Sequence, residues 1–100
     1  MKELLQHLHK AFENKVRLGI MSALIVNESL DFTSLKELLN VTDGNLASHI
    51  KALEKEDFIA VNKSFIDRKP NTRYSVTDSG IKAFNKHLSA LESLIKSQRE

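Results

Sequence analysis

The hydrophobic pattern of this chain changes period twice, and that change limits what it can build more than any other feature. Up to Glu56 the apolar residues recur at three and four, as along one side of an α-helix. From Phe58 they alternate as in a strand, and beyond Ser79 the helical spacing returns. One hundred residues supply a single modest core. The expected architecture is therefore mainly α with a small β-hairpin, an α+β fold in the order α-α-α-β-β-α. No linker, internal repeat or low-complexity stretch divides the chain, so residues 1–100 are read as one domain.

Before the switch, a helical segment is expected from about Lys2 to Lys10, carrying Leu4, Leu5 and Leu8. It runs into, or breaks shortly before, a second from about Asn14 to Val26. Phe12, Val16, Ile20, Ala23 and Leu24 share one side of the second, and Met21, Ile25 and Val26 widen its apolar surface, as suits a central helix with more than one neighbour. NESLDF then interrupts the pattern. Thr33 or Ser34 can cap the next short helix, with Glu37 completing a capping box from Ser34 and with Leu35, Leu38 and Leu39 facing the core. Asn40, Val41 and Thr42 form a tight connection into a further helix from Asp43 to Glu56.

That further helix carries the chemistry. Thr42 is its expected cap, and Asp43 puts a carboxylate where the helix dipole favours one. Leu46, Ile50 and Leu53 draw a narrow apolar stripe. The opposite side holds Gly44, Ser48, Lys51 and Lys55, with Asn45 and Ala52 on one shoulder. Short hydrogen-bonding side chains flanked by lysines suit a helix that enters the major groove of DNA, about 12 Å wide. Two short helices joined by a tight turn, the second with a polar outer face, are the signature of a helix-turn-helix.

FIAVNKSFI (58–66) and TRYSVT (72–77) read as the two strands of a hairpin, and DRKPN (67–71) supplies its turn. Lys63, Arg68, Lys69 and Arg73 face the single carboxylate of Asp67 across this segment. Such a hairpin either grips phosphate or merely guards a strand edge with charge and proline. After it, Thr77 or Asp78 caps a last helix from about Ser79 to Ser97. There Phe84, Leu88, Leu91 and Ile95 recur at four, three and four, with Ile81 and Leu94 beside them. This stripe, together with Leu4, Leu5 and Leu8, exceeds what a small core should cover: packing it across a twofold axis makes a homodimer, whereas folding the last helix back over the first satisfies both within one chain.

Other functions fare poorly. The chain has no cysteine, so thiolate metal sites, disulfides and cysteine nucleophiles are excluded. His7 and His9 stand two apart and face different ways on a helix, so they make no metal pair. Ser48 to Lys51 and Ser93 to Lys96 each match S-x-x-K, but the further motifs of serine acyl-enzymes are missing. Three glycines and no phosphate loop leave little to cradle a cofactor, so neither catalysis nor a cofactor is expected. His49, near the apolar edge of its helix, suits packing or hydrogen bonding, and His87 reads as a solvated helix residue. The net charge of +2 permits a nucleic-acid partner without requiring one. Without a signal-peptide or membrane-spanning hydrophobic run, the expected location is the cytoplasm.

NKVRLGIMSAL (14–24), DFTSLKELLNVTDGNLASHIKALEKEDFI (31–59) and DRKPNTRYSVTDSG (67–80) together resemble winged helix-turn-helix regulators of the MarR and ArsR type, over nearly the whole chain. The resemblance implies a sequence-specific double-stranded DNA-binding transcriptional repressor, dimeric on a palindromic operator. In that reading Thr42, Asp43, Gly44, Asn45, Ser48, His49 and Lys51 meet the duplex from the recognition helix, and Lys63, Arg68, Lys69 and Arg73 from the wing. Leu4, Leu5, Leu8, Phe84, Leu88, Leu91 and Ile95 form the dimer interface. The chain lacks the cysteines through which ArsR-type sensors bind metal, and it is shorter than MarR proteins whose terminal helices frame an effector pocket. The alternative is a winged helix that serves as a protein–protein adaptor without binding DNA.

Overall fold

Each long helix begins at a side chain that accepts backbone N–H groups left without partners in the first turn, a contribution of about 1 kcal/mol apiece. The computed structural model describes residues 1–99; Glu100, the last residue of the expected single domain, lies outside them. Asn14 caps helix α2 (Lys15–Ile25), its Oδ1 accepting from the N–H groups of Val16 at 2.9 Å and Arg17 at 3.1 Å. Thr42 Oγ1 accepts from Asn45 at 3.2 Å to open α4 (Asp43–Lys55), and Thr77 Oγ1 accepts from Gly80 at 2.9 Å to open α5 (Asp78–Ser97).

Three expectations about local structure are corrected. The first helix, α1, spans only Lys2–Gln6, and the chain then makes a 3-10 turn at Lys10–Phe12 before α2 starts. His7 ends α1, and His9 opens the 3-10 turn: its backbone is extended, and its Nδ1 accepts from the Ala11 N–H at 3.0 Å. Helix α3 (Phe32–Leu39) is capped by Asp31 rather than by Thr33 or Ser34, with the Ser34 N–H donating at 2.8 Å. Hydrogen bonding from Ser34 holds the Asp31 carboxyl below its ordinary range. Asn40, left-handed at φ 51°, ends α3 and turns the chain into the connection.

The third correction concerns the sheet. Strands β2 (Ile59–Ile66) and β3 (Lys69–Val76) form the expected hairpin, but its turn is only Asp67 and Arg68, so Lys69, Pro70 and Asn71 belong to β3. Pro70 faces Phe65, next to the closing pair of Ile66 and Lys69. Hydrogen-bonded and non-bonded pairs alternate along an antiparallel ladder, so the missing proline N–H falls where it would have pointed outward. A two-residue strand, β1 (Leu30–Asp31), pairs with Tyr74 and Arg73 on the other side of β3, giving the antiparallel order β1-β3-β2.

The core lies where α2, α3, α4 and the base of the sheet meet. Ile20, Met21 and Leu24 of α2, Leu35 of α3, and Leu46, Ile50 and Leu53 of α4 are buried against Ile59 and Tyr74. Phe12, Phe58 and Phe84 continue it toward α5, with the Phe12 ring 5.2 Å from Phe58 and 5.1 Å from Phe84. One contact there requires glycine: a Cβ at Gly80 would stand 2.2 Å from the Phe58 carbonyl oxygen. Among the described residues no helix is long and apolar enough to cross a membrane.

Candidate nucleic-acid interface

The stripe of Leu46, Ile50 and Leu53 is buried, which fixes the rotation of α4 and turns Gly44, Asn45, Ser48, Lys51 and Lys55 to solvent. Among the described residues, the side chains of Asn45, Ser48 and Lys51 make no hydrogen bond or ion pair within the protein. Their donors and acceptors are free for an external partner. A Cβ built on Gly44 meets nothing within 4 Å, so the start of this face is open to close approach. The Thr42 hydroxyl accepts the capping hydrogen bond and keeps its own proton to donate. Asp43, exposed at the same end, pairs with Lys36 of α3 at 2.8 Å, which offsets a carboxylate that would otherwise repel phosphate.

The hairpin carries the second group. Lys63, Arg68 and Lys69 are exposed, and among the described residues none of them is in an ion pair. Asp67 and Arg68 have φ of 50° and 68°, both in the left-handed region, as a turn of type I′ demands. Glycine is the favoured residue at the second position. An arginine there costs about 1–2 kcal/mol of backbone strain, and it sets a guanidinium at the outermost point of the hairpin.

Several expected site residues are engaged elsewhere. Arg73 folds back along the sheet: its Nε donates to Ser29 Oγ at 2.7 Å and its Nη2 to the Ser29 carbonyl at 2.9 Å. The cause is the strand β1, which the sequence did not disclose; at Arg73 the strand β3 is flanked on both sides, and the side chain ties that short edge down. His49 is half-buried on the flank of α4, its Nδ1 3.1 Å from Nη1 of Arg17, whose Nε donates to the Ala11 carbonyl. Burial, then the neighbouring Arg17 charge, lowers the His49 imidazole below its ordinary pKa, so it braces α4 against α2 as a neutral ring. Both residues leave the set that faces outward.

The aromatic region brings two further corrections. Phe84 is 1% exposed and belongs to the protomer core, because Phe12 packs edge-on against it. It cannot lie in a dimer interface. His87, expected in solvent, is 3% exposed, and its Nδ1 accepts from the His9 N–H at 2.9 Å. Burial lowers its pKa, Glu13 acts in the opposite direction, and His9 adds to the lowering. The uncovered apolar flank of α5 consists of Ile81, Leu88 and Ile95, seven residues apart, with Leu91 half-buried beside them. Leu5 is exposed on α1, and Leu4 and Leu8 are half-buried. The missed features, Ser29 with Arg73 and Arg17 with His49, join residues far apart in sequence and left no local signal. Asp31 before a short helix was a legible cap. Among the described residues no three His, Asp or Glu side chains gather as metal ligands do.

A family model described as a winged helix DNA-binding domain matches residues 16–95. An uncharacterized protein of Methanocaldococcus jannaschii is 38% identical over 87 residues, covering 87% of this chain and 95% of that protein. Among solved structures, a transcriptional regulator homologue from Pyrococcus horikoshii superposes with a TM-score of 0.89 at 34% identity, covering 98% of both chains. YusO of Bacillus subtilis shares the fold at a TM-score of 0.81 and 22% identity, over 97% of this chain and 68% of its own.

Proposed function

The chain belongs to the family of winged helix DNA-binding domains, and from that membership we propose that it is a sequence-specific double-stranded DNA-binding transcriptional regulator, a homodimer that represses by occupying a promoter. The observation that carries the reading is the outer face of α4: Asn45, Ser48 and Lys51 are exposed, free of internal partners, and held on a helix whose other side is locked into the core. An asparagine amide pairs bidentately with adenine, and a serine hydroxyl serves either base type. Lys63, Arg68 and Lys69 supply phosphate contacts, which give affinity without sequence information. Occlusion of a promoter needs nothing beyond such occupancy.

Support for the dimer comes from the uncovered flank of α5. Ile81, Leu88 and Ile95 lie along one line of the helix, and α1 adds Leu5. Pairing two copies along this flank buries it and presents two recognition helices to half-sites about 34–36 Å apart, hence a palindromic operator.

Selection of duplexes from a random library, followed by binding measurements across salt, tests the reading. A palindromic consensus is expected, with log affinity falling against log salt at about −0.9 for each phosphate neutralised. Failure to retain any duplex, or affinity indifferent to salt, ends the DNA reading and favours a protein–protein adaptor. Sedimentation tests the dimer independently: a species of twice the 11.3 kDa chain mass is expected, and Leu88→Asp should reduce it to one chain.

A further inference from the structure

Phosphate contacts do not account for the whole hairpin. Phe65 is 75% exposed and Ile66 57% exposed, on the two residues just before the turn. Val61 and Tyr74 face each other on the side of the hairpin that packs on the core. By the alternation of strand side chains, Lys63 and then Phe65 continue that same side, as do Thr72 and Pro70 on the facing strand. Phe65 therefore stands about 13 Å beyond the last packed residue of its strand, at about 3.3 Å per residue, with no core beneath it. Its cross-strand partner is Pro70, a rigid ring at the facing position with no N–H donor of its own.

A phenylalanine left in water at the end of a hairpin buries little apolar surface in the fold, and leaving it there forgoes about 1.5–3 kcal/mol of burial. Its surroundings identify what covers it. Lys63 lies two residues before it, Arg68 and Lys69 sit at the turn, and Asp67 is the one opposing carboxylate among them. An apolar tip ringed by cations is complementary to a polyanion with an apolar interior that can be opened. Duplex DNA offers that at its minor groove, where apolar side chains pushed between base steps unstack them and kink the helix. Resting on the DNA-binding reading above, we propose that Phe65, opposite Pro70, is an apolar wedge that enters the minor groove beside the recognition site and partly unstacks a flexible base step. The wing then reads deformability: flanks with a TA or CA step open readily, whereas stiff A-tract flanks resist. Specificity in these flanks would need no hydrogen bond to a base.

The test uses the full chain and a duplex recovered from random-library selection, with a TA step or an A-tract in the flank and a fluorescent adenine analogue at that step. Wild type is expected to raise the analogue's fluorescence, to bend the duplex as read by end-to-end energy transfer, and to prefer the TA flank. Phe65→Ala should abolish all three and weaken binding by about tenfold or more, with the salt slope unchanged. Phe65→Leu should restore most of the bend. Thermal unfolding of Phe65→Ala, expected to match wild type because the side chain is exposed, separates a lost wedge from a lost fold. If Phe65→Ala binds, bends and discriminates as wild type does, the wedge is wrong while the DNA reading stands. If wild type retains no duplex, the DNA reading itself has failed and takes the wedge with it. Tighter binding to anionic phosphatidylserine vesicles than to duplex at equal salt would overturn the proposal in favour of membrane insertion.

Discussion

Helix α4 and the hairpin turn their outward residues to solvent from opposite structural conditions. Helix α4 has one side sunk in the core through Leu46, Ile50 and Leu53, is capped by Thr42, and is braced from α2 through Arg17 and His49. Its outward residues are therefore held in place before any partner arrives. The outer half of the hairpin has the reverse character: residues 62–70 are all exposed, and the turn carries an arginine in a conformation that glycine would adopt without cost. A held surface suits hydrogen-bond readout, which tolerates little misplacement. An exposed, weakly anchored one suits phosphate and groove contacts, which follow the duplex as it deforms.

Mutations to the two regions should separate accordingly, and the largest effect belongs beneath the helix. Leu46→Ala is expected to cost about 2–5 kcal/mol in chemical denaturation. Ile66→Ala at the wing should change stability by less than about 0.5 kcal/mol. Comparable losses at both positions would erase the contrast. Next come Asn45→Ala and Ser48→Ala, each expected to cost about 1–3 kcal/mol of discrimination against mismatched operators. Random-duplex affinity and thermal midpoint should stay unchanged, as competition binding and a melting curve would show.

Arg68→Gly has opposing effects. Relief of the left-handed strain should stabilise the protein by about 1 kcal/mol. Loss of the guanidinium should weaken specific and random DNA alike and reduce the salt slope by about 0.9. A variant destabilised by this change would mean that the arginine supports the hairpin rather than serving a ligand.

The smallest expected effect is one of pH. His87 and His49 are both held neutral by burial, so the unfolded chain takes up protons that the folded chain resists. Their contribution to stability should be fully present above the ordinary imidazole pKa of 6.5 and decline as pH falls below it. His87→Asn, which keeps an acceptor for the His9 N–H but does not titrate, should flatten part of that decline in thermal midpoints recorded between about pH 8 and 5. The remainder belongs to His49.

Most of the fold was legible because its signals are local. The period of the apolar residues, the caps at Thr42 and Thr77, and the cationic turn all lie within a few residues of what they determine. What the sequence concealed depends on partners distant along the chain. Arg73 looked like any other wing cation until β1 came alongside it, and Ser29, which it holds, is 44 positions away. Phe84 and Leu88 belong to one apolar pattern, yet only the approach of Phe12 decides that the first is core and the second is surface. The burial of His87 is hidden for the same reason, since its partner His9 is 78 positions removed. In the candidate site, the outward set of α4 was legible from the helical projection alone, whereas the shortness of the turn, and with it the placement of Phe65 opposite Pro70, was not.

Thr77 joins more than the first turn of its own helix. Its hydroxyl also donates to the Asp57 carbonyl at 2.7 Å, its N–H donates to the Phe58 carbonyl at 3.0 Å, and Gly80 lies against that same carbonyl. The start of the hairpin, its end and the root of α5 are thus a single joint with no slack. If two chains pair along α5, the angle at which they cross is passed through this joint to both wings, much as the rivet of a pair of calipers sets the distance between its points.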